Sequence, residues 1–246
     1  MRHTFACPLR WADMDALGHV NNVVYVDYLR EARLALTTAP GRVLALEIDY
    51  EAPLVFRPEP VLVESRIDGD GVLVQEIADR QEDGGRTVYA KARTTFVRDS
   101  VVPRVRPDPA LAAHVPVTVR ARDLGSDGDV DEVATLELFQ ESRIVFLQGL
   151  VARQEPRVVR RTAVTYLRPY GRGAAAYAVH HGIGRVGRSS FEIRAELVDD
   201  GAEGTDGPVV VASSRTVIVA VDAQSRRPRP LTEHERAHLE PHVVSG

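Results

Sequence analysis

The sequence is poor in cysteine and in long apolar runs. Cys7 is its single cysteine, so no intramolecular disulfide can form and nothing requires an oxidising compartment. No apolar run reaches the roughly 18 residues that a membrane-spanning helix needs, and residues 1–9 lack the apolar segment of a signal peptide. These absences predict a cytoplasmic protein with no membrane partner, in which Cys7 serves as a small apolar residue rather than as a nucleophile.

The sequence also has little excess charge of either sign. Its 31 basic and 35 acidic residues leave a net charge of −4, so no global basic field indicates nucleic acid as a partner. Hydrophobic residues make up 44% and charged residues 27% of the 246 residues. This composition excludes wholesale disorder, and the length fits about one to two globular domains.

The chain repeats itself. A shift of 110 positions aligns the segment that begins at Leu9 with the segment that begins at Val119. The identities are Arg10 with Arg120, Asp13 with Asp123, Gly18 with Gly128, Val20 with Val130, Val23 with Val133, Glu31 with Glu141 and Arg33 with Arg143. Further matches follow at shifts of 116, including Tyr50 with Tyr166, and of about 122, as expected when loops lengthen and elements do not. The sequence therefore predicts a duplicated domain.

Each copy is predicted to hold one helix followed by strands. In the first copy, apolar residues recur at helical spacing from Tyr25 to Leu36, with Asn21 or Asn22 as the cap and Pro40-Gly41 as the stop. The second helix, from Leu136 to Leu150, is nearly apolar on two faces, so we expect it to be deeply packed. A Pro-rich segment, 107–116, is predicted to link a first domain, 1–106, to a second, 117–246.

The strands are long and are separated by hairpin turns, which favours antiparallel sheet. They are predicted over Arg42–Tyr50, Val61–Ile67, Val72–Asp79, Thr87–Arg98, Arg157–Tyr166, Ala174–Val186, Ser189–Val198 and Val209–Asp222. One helix against one such sheet is a two-layer α+β unit, and two units are expected to pair as a pseudo-dimer. A short terminal helix is predicted within Thr232–His242.

The chemistry is concentrated in the loop before the first helix. Asp13 and Asp15 lie in this loop, Gly18 allows a tight backbone, His19 follows at once and Asn21-Asn22 open the helix. A helix N-terminus carries unpaired N–H groups and partial positive charge, so it suits the oxygen of a polarised carbonyl. A carboxylate beside it could act as general base or nucleophile. Spacing alone leaves open that these residues only cap and shape the loop.

The segment Arg10–Arg33 closely resembles the signature of hotdog-fold acyl-CoA thioesterases, the 4-hydroxybenzoyl-CoA thioesterase-like group. That signature has an aromatic residue followed by D-x-D-x-x-G-H-V-N-N, two spaced tyrosines and E-x-A-R. The segment meets it from Trp11 to Glu31 and departs only in the final spacing, where Glu31, Ala32 and Arg33 are contiguous. The strings EIDYEAP and ARTTFVRD in the first copy, and TYLRP and GRVGRSSF in the second, are similar to later parts of the same family. The resemblance covers most of both copies.

The resemblance implies two tandem hotdog domains, each a long helix packed on a curved antiparallel sheet. It implies hydrolysis of an acyl-CoA without a metal or organic cofactor. The catalytic role falls on Asp15, and a backbone N–H near Asn22 holds the thioester carbonyl. His19 assists the site, and Gly18 and Asn21 shape it. Tyr25 is a candidate for lining the acyl pocket, although a helical aromatic is more often part of the core.

The second copy departs from the signature. It carries Gly125, Asp129, Asp131 and Glu132 where the first has Asp15, His19, Asn21 and Asn22. Without the carboxylate, and with acids at its helix start, it is expected to be a structural partner that leaves one working site per chain. Its segment Gly187–Phe191 resembles one that the family carries near the ligand channel. Arg188, Ser189 and Ser190 are therefore candidate contacts for CoA, with a solvated hairpin as the alternative.

Two other functions stay open. One is a thioesterase that takes its acyl group from an acyl carrier protein, which is acidic; the net charge of −4 does not favour such a partner. The other is a non-catalytic hotdog module that binds acyl-CoA. The acyl chain length, the pathway and a homodimer of such chains are not determined by the sequence.

Overall fold

The computed structural model describes residues 2–36, 41–80, 84–97, 103–150, 156–173, 176–201 and 207–244. The chain divides into two compact units, Met1–Ser100 and Val101–Gly246, which we call unit 1 and unit 2. Each unit contains a long helix and five antiparallel strands in its described residues. This is the α+β architecture predicted for each copy.

Unit 1 begins with a strand that was not predicted from the sequence. Its elements are β1 (Arg2–Cys7), α1 (Asn22–Leu34), β2 (Arg42–Tyr50), β3 (Val61–Ile67), β4 (Leu73–Arg80) and β5 (Arg86–Val97). The strands lie in the order β1-β3-β4-β5-β2 and every neighbouring pair is antiparallel. The bounds of β2 and β3 are those predicted, and β4 is displaced by one residue. Strand β5 begins one residue before its predicted start, and its predicted last residue, Arg98, lies outside the described residues.

Unit 2 repeats this plan and adds a terminal helix. Its elements are β6 (Ala113–Val117), α2 (Glu132–Leu150), β7 (Arg157–Tyr166), β8 (Tyr177–Val186), β9 (Ser190–Asp199), β10 (Val209–Ala220) and α3 (Glu233–Leu239). The strands lie in the order β7-β10-β9-β8-β6, again antiparallel. Most of β6 falls in the segment predicted as a linker, which is therefore partly an edge strand of unit 2. The domain boundaries themselves stay a prediction.

The sequence of α1 explains where the helix begins and which face it buries. The Asn21 side chain accepts a hydrogen bond from the Val23 N–H at 3.0 Å, so Asn21 is the N-cap, one of the two candidates predicted. The buried residues recur every three or four positions: Val23, Tyr25, Val26, Tyr28, Leu29, Ala32 and Arg33. The helix ends at Leu34, and part of the predicted stop, residue 40, lies outside the described residues.

The expectation that α2 is deeply packed on two faces is wrong for its C-terminal half. Ile144 and Val145 are 45% and 54% exposed, whereas Phe139 and Phe146 are buried. The physical reason is that one sheet covers only one face of a helix. No helix among the described residues has both the length and the apolar character needed to cross a membrane.

The core of each unit lies between its helix and its sheet. In unit 1, Leu29 of α1 and the strand residues Ile48, Val63 and Ile77 are at most 1% exposed. The core cluster of unit 2 consists of Phe146, Ile183, Phe191, Ile193, Ile218, Ala220, Leu231 and Leu239. Its last two members come from the C-terminal segment, so that segment belongs to the core of unit 2.

A buried carboxylate holds α3 in place. Glu235 accepts hydrogen bonds from Arg157 at 2.8 Å and from Arg229 at 2.8 and 3.0 Å, and it forms a capping box with Thr232. Burial opposes ionisation of Glu235, but the hydrogen bonds from Arg229, the Thr232 N–H and Arg157 outweigh it and lower its pKa to about 2. The predicted terminal helix is thus present and tied to β7.

Cys7, the last residue of β1, is a core residue. It is 5% exposed, and burial, followed by the charges of Asp27 and Glu31, raises the pKa of its thiol to about 11. The thiol is therefore protonated at neutral pH and is not an activated nucleophile.

Candidate active site

Asp13 anchors the loop that precedes α1. Its carboxylate accepts hydrogen bonds from the Arg10 N–H at 2.7 Å and from the Tyr28 hydroxyl at 2.5 Å. Its main-chain carbonyl accepts the Asn21 N–H at 2.9 Å. Burial and the Asp13 hydrogen bond raise the pKa of Tyr28, so its hydroxyl stays a donor. Asp13 is thus a structural acid that ties the loop to the helix.

Asp15 is held differently and keeps one oxygen available. Its Oδ1 accepts the N–H groups of Leu17 at 2.8 Å and His19 at 3.2 Å. Gly18 closes the turn with φ of 74°, and its N–H donates to the Asp15 carbonyl at 3.0 Å. Among the described residues, none donates to Asp15 Oδ2. The backbone therefore orients a half-buried carboxylate whose second oxygen can take a proton or attack an electrophile.

The start of α1 presents a free amide close in sequence to this carboxylate. The Asn21 side chain satisfies the Val23 N–H, and the Asn21 carbonyl accepts the Val24 N–H at 2.9 Å. Within the described residues, the Asn22 N–H has no acceptor, as is usual for the first residue of a helix. The Tyr50 hydroxyl donates to the Asn22 carbonyl at 2.9 Å and fixes this residue. An N–H in this position suits a developing oxyanion.

His19 is half-buried and lies in a small three-segment sheet. Its main-chain carbonyl accepts the Asp15 N–H at 2.7 Å. On its other side His19 pairs with Val55 in an antiparallel bridge, and the Val20 N–H donates to the Leu54 carbonyl at 2.8 Å. The connection between β2 and β3 is thereby attached to the Asp15 loop.

Tyr25 is a core residue of unit 1. It is 3% exposed, its hydroxyl accepts the Leu54 N–H at 3.1 Å, and its ring meets the Tyr50 ring edge-on at 5.3 Å. Burial raises the pKa of Tyr25, followed by smaller effects that include the hydrogen bond from Leu54, which lowers it. Tyr25 positions the segment that pairs with His19, while its predicted contact with the acyl group stays a prediction.

Unit 2 contains the same loop backbone without the carboxylate. The Asp123 carboxylate accepts the Arg120 N–H at 2.7 Å, the Gly125 N–H donates to the Asp129 carbonyl at 2.7 Å, and Gly128 has φ of 86°. If Gly125 carried a Cβ atom, that atom would lie 3.0 Å from Oδ1 of Asp127. A neighbouring acid therefore occupies the space that the Asp15 side chain has in unit 1.

The start of α2 is acidic. The Asp131 carboxylate accepts the Ala134 N–H at 2.8 Å, and Glu132 is the first helical residue. Burial and the charge of Asp127 raise the pKa of Asp129. Carboxylates at this helix end stabilise the helix but oppose a second anion. Of the two loops, the one in unit 1 therefore combines a carboxylate in the turn with a helix start that suits an oxyanion.

The remaining predicted contacts lie in the hairpin between β8 and β9 of unit 2. Arg188 is exposed, and the carbonyls of Arg188 and Ser189 accept the N–H groups of Leu231 and Ala220, each at 2.9 Å. The Gly187 N–H donates to the Ser190 carbonyl at 2.7 Å and closes the turn. The structure thus gives these residues a backbone role in unit 2, and their part in binding CoA stays a prediction.

Sequence reasoning missed the residues that hold the site together. Tyr50 and its counterpart Tyr166 both donate to the first helical carbonyl, those of Asn22 and Glu132, at 2.9 and 3.2 Å. Their identity in the repeat was the available signal. The partner of Val55 could not be identified, because the bridge joins residues 36 positions apart. In the described part of the chain, no group of three His, Cys, Asp or Glu residues is placed to hold a metal.

A family model for the thioesterase-like superfamily matches residues 9–122 and, a second time, residues 119–239. The chain belongs to the thioesterase-like superfamily. The two matches account for both units, and membership supports a thioester hydrolase. No curated protein matches the sequence.

Solved structures show the same fold over one or both units. An acyl-ACP thioesterase from Bacteroides thetaiotaomicron matches with a TM-score of 0.58 and 14% identity, covering 89% of this chain and 97% of that one. A 12:0-ACP thioesterase from Umbellularia californica has a TM-score of 0.58 and 13% identity, with 89% and 94% covered. A Pseudomonas aeruginosa protein matches with a TM-score of 0.51 and 21% identity, and the match covers 58% of this chain and 99% of that one. The predicted pair of tandem hotdog domains is confirmed.

Proposed function

We propose that this thioesterase-like protein hydrolyses an acyl-CoA to a free acid and CoA at one site per chain, in unit 1. The observation that carries the proposal is the Asp15 carboxylate. Two backbone N–H groups orient its Oδ1, and its Oδ2 has no donor among the described residues. The loop leads directly into the start of α1, where the Asn22 N–H has no acceptor within the described chain.

The reaction adds water to the thioester carbonyl carbon and breaks its bond to sulfur. Asp15 acts in one of two ways: it takes a proton from the attacking water, or it attacks the carbon itself to give an anhydride that water then opens. The Asn22 N–H donates to the carbonyl oxygen as negative charge develops there. The CoA sulfur leaves and is protonated to the thiol, so the products are the carboxylic acid and free CoA.

The other candidate residues support this step. Gly18 and Asn21 give the loop and the helix start their shape, and His19 lies opposite Asp15 in the short sheet. Tyr25 holds the segment that pairs with His19. Arg188, with Ser189 and Ser190, is proposed to contact the phosphates or the pantetheine arm of CoA.

An acyl carrier protein is a second candidate for the acyl donor, and the solved structures favour it. The proteins from Bacteroides thetaiotaomicron and Umbellularia californica are acyl-ACP thioesterases by name, and each matches 89% of this chain. An acyl carrier protein presents the same thioester on the same pantetheine arm. Rates measured side by side with one acyl group on CoA and on a carrier protein decide between the two donors.

The test of the proposed function is thiol release from acyl-CoAs that range from short to long and include an aromatic acyl group. We expect turnover by the natural protein and a loss of at least about a hundredfold in Asp15→Asn. The Asn oxygen still accepts the N–H groups of Leu17 and His19, so the fold is retained. Asp127→Asn, which changes an acid at the corresponding loop of unit 2, serves as the matched control and should keep full turnover.

Full activity of Asp15→Asn would exclude the assigned carboxylate. Absence of turnover by the natural protein with every CoA and carrier-protein substrate would instead favour the non-catalytic module that binds acyl-CoA. Circular dichroism of each variant separates a loss of chemistry from a loss of fold.

A further inference from the structure

Three apolar side chains in and beside the Asp15 loop are exposed to solvent. Leu17, in the turn itself, is 40% exposed, and Val55 and Phe56, in the paired segment, are 52% and 47% exposed. We call these three residues the apolar rim. Single exposed apolar residues are ordinary, but a group of them beside polar catalytic candidates indicates a surface that contacts a ligand.

The register of the short sheet aligns Val55 with the candidate catalytic residues. Met14 pairs with Val20, so one position further along Asp15 lies opposite His19, and His19 in turn pairs with Val55. Residues directly opposite in antiparallel segments project to the same face. Asp15, His19 and Val55 therefore form one row, whereas Val20 is buried on the other face at 3% exposure. Phe56 follows Val55 opposite Gly18 at the end of the short sheet, so it lies beside this row rather than in it.

The pair between His19 and Val55 brings its side chains close. The Val20 N–H donates to the Leu54 carbonyl at 2.8 Å, one position away on each side, so His19 and Val55 form a non-hydrogen-bonded pair. Such pairs have Cα atoms about 4.5 Å apart. A group that reaches Asp15 across His19 therefore meets the Val55 methyls next.

Unit 2 shows that the fold does not need these apolar side chains. Its corresponding bridge joins Asp129 to Gly171, and the Val130 N–H donates to the Tyr170 carbonyl at 2.7 Å. The backbone register is thus the same. The residues that replace the apolar rim are Asp127, Gly171 and Arg172. At these three positions, all within the described residues, the exposed apolar side chains belong to the copy of the loop that carries the carboxylate.

We propose that the apolar rim contacts the acyl group of the thioester and makes the site select uncharged acyl chains of several carbons. This inference rests on the proposed function. Each methylene removed from water strengthens binding by about fourfold, so an acetyl group gains little from the rim and an octanoyl group gains much. A carboxylate on the acyl chain would be repelled by the negative charge of Asp15. The positive charge of Arg57, the residue after Phe56, is already balanced because its guanidinium pairs with Asp79.

The test measures binding rather than turnover. The probes are S-ethyl-CoA and S-octyl-CoA, thioethers that cannot be hydrolysed, and calorimetry gives the dissociation constant of each. The variants are Val55→Ala/Phe56→Ala and Leu17→Asp, the second of which places the unit 2 residue in the rim. Ile67→Ala is the control, because Ile67 is 45% exposed at the end of β3.

We expect the natural protein to prefer S-octyl-CoA, and the two rim variants to lose about tenfold of that preference while S-ethyl-CoA binding stays the same. The Ile67→Ala variant should keep the full preference. An unchanged chain-length preference in both rim variants would overturn the inference, as would an absence of S-octyl-CoA binding by the natural protein. Thiol release by the natural protein then shows separately whether the proposed function stands.

Discussion

The loops that lead into α1 and α2 share a backbone and differ in chemistry. In both, an acid accepts the N–H three positions before it, a glycine with positive φ closes the turn, and a tyrosine donates to the first helical carbonyl. Only unit 1 adds the Asp15 carboxylate, whereas Gly125 stands in its place in unit 2. The residues that give the loop its shape are therefore separate from the carboxylate that is proposed to act in it.

Removal of the anchoring acids, Asp13 and Asp123, is expected to have the largest effect on the two loops. In Asp13→Ala the buried Tyr28 hydroxyl and the Arg10 N–H lose their acceptor, which should lower the free energy of unfolding by about 2 to 3 kcal/mol. Asp123→Ala should cost a similar amount, because Asp123 is 3% exposed and accepts the Arg120 N–H. Urea unfolding measures both values.

Measurements of turnover distinguish the role of Asp13 from that of Asp123. We expect Asp13→Ala to lose activity, because the loop that holds Asp15 is displaced, and Asp123→Ala to retain it in the folded protein. Loss of activity in both variants to the same extent would contradict the assignment of one working site.

A second difference between the units makes stability depend on pH. His181 of β8 lies opposite Ala195, whereas Ser65, in the corresponding place of unit 1, lies opposite Gln75 and accepts its amide at 3.1 Å. His181 is 1% exposed, its ring stacks on Phe146 at 4.9 Å, and neither ring nitrogen has a partner in the described part of the chain.

Burial, then the charges of Arg143 and His180, lower the pKa of His181 from 6.5 to about 3. The unfolded chain therefore binds more protons between these values, and stability is lost as the pH falls below 6.5. From pH 7.5 to pH 5 this should cost about 2 kcal/mol. His181→Leu should show a smaller loss over that range in urea unfolding. Equal losses in both proteins would show that His181 is not neutral in the folded state.

The smallest effect on stability is expected at the glycine that closes each turn. Gly18 and Gly128 have φ of 74° and 86°, and a Cβ at either position would meet nothing within 4 Å. Each change to Ala should therefore cost only backbone strain, about 1 kcal/mol. Thermal unfolding should shift equally in the two variants, whereas thiol release should fall in Gly18→Ala alone. A fall in Gly128→Ala would connect the unit 2 loop to the reaction.

The sequence predicted the elements with strong local patterns and missed those with weak ones. Alternation and turns predicted the bounds of β2, β3 and β7, and Asn21 marked the start of α1. Strand β6 was missed because it contains Pro116, which lacks the N–H that an interior strand needs. Among the described strands of unit 2 it pairs with β8 alone, so the proline lies on an edge where it is tolerated. Strand β1 was missed because only Cys7 among its six residues is buried.

The sequence supplied the residues of the candidate site but not the tertiary contacts that hold them in place. The signature supplied Asp15, His19 and Asn22, whereas the anchoring role of Asp13 depends on Tyr28, 15 positions away. The row that joins Val55 to His19 depends on the pairing of distant segments. The burial of His181 depends on which residue faces it across the sheet. Such contacts are set by tertiary packing, which a local pattern does not contain.

The burial of Cys7 has a practical consequence. The protein's only thiol is 5% exposed and has a pKa of about 11, so reagents that detect the thiol of released CoA should react little with the enzyme itself. Because Cys7 reacts little, a cysteine introduced at the surface can be labelled selectively. A Leu17→Cys variant would offer one reactive sulfur in the turn that holds Asp15, and a dye attached there would test the proposed contact of this turn with the acyl group.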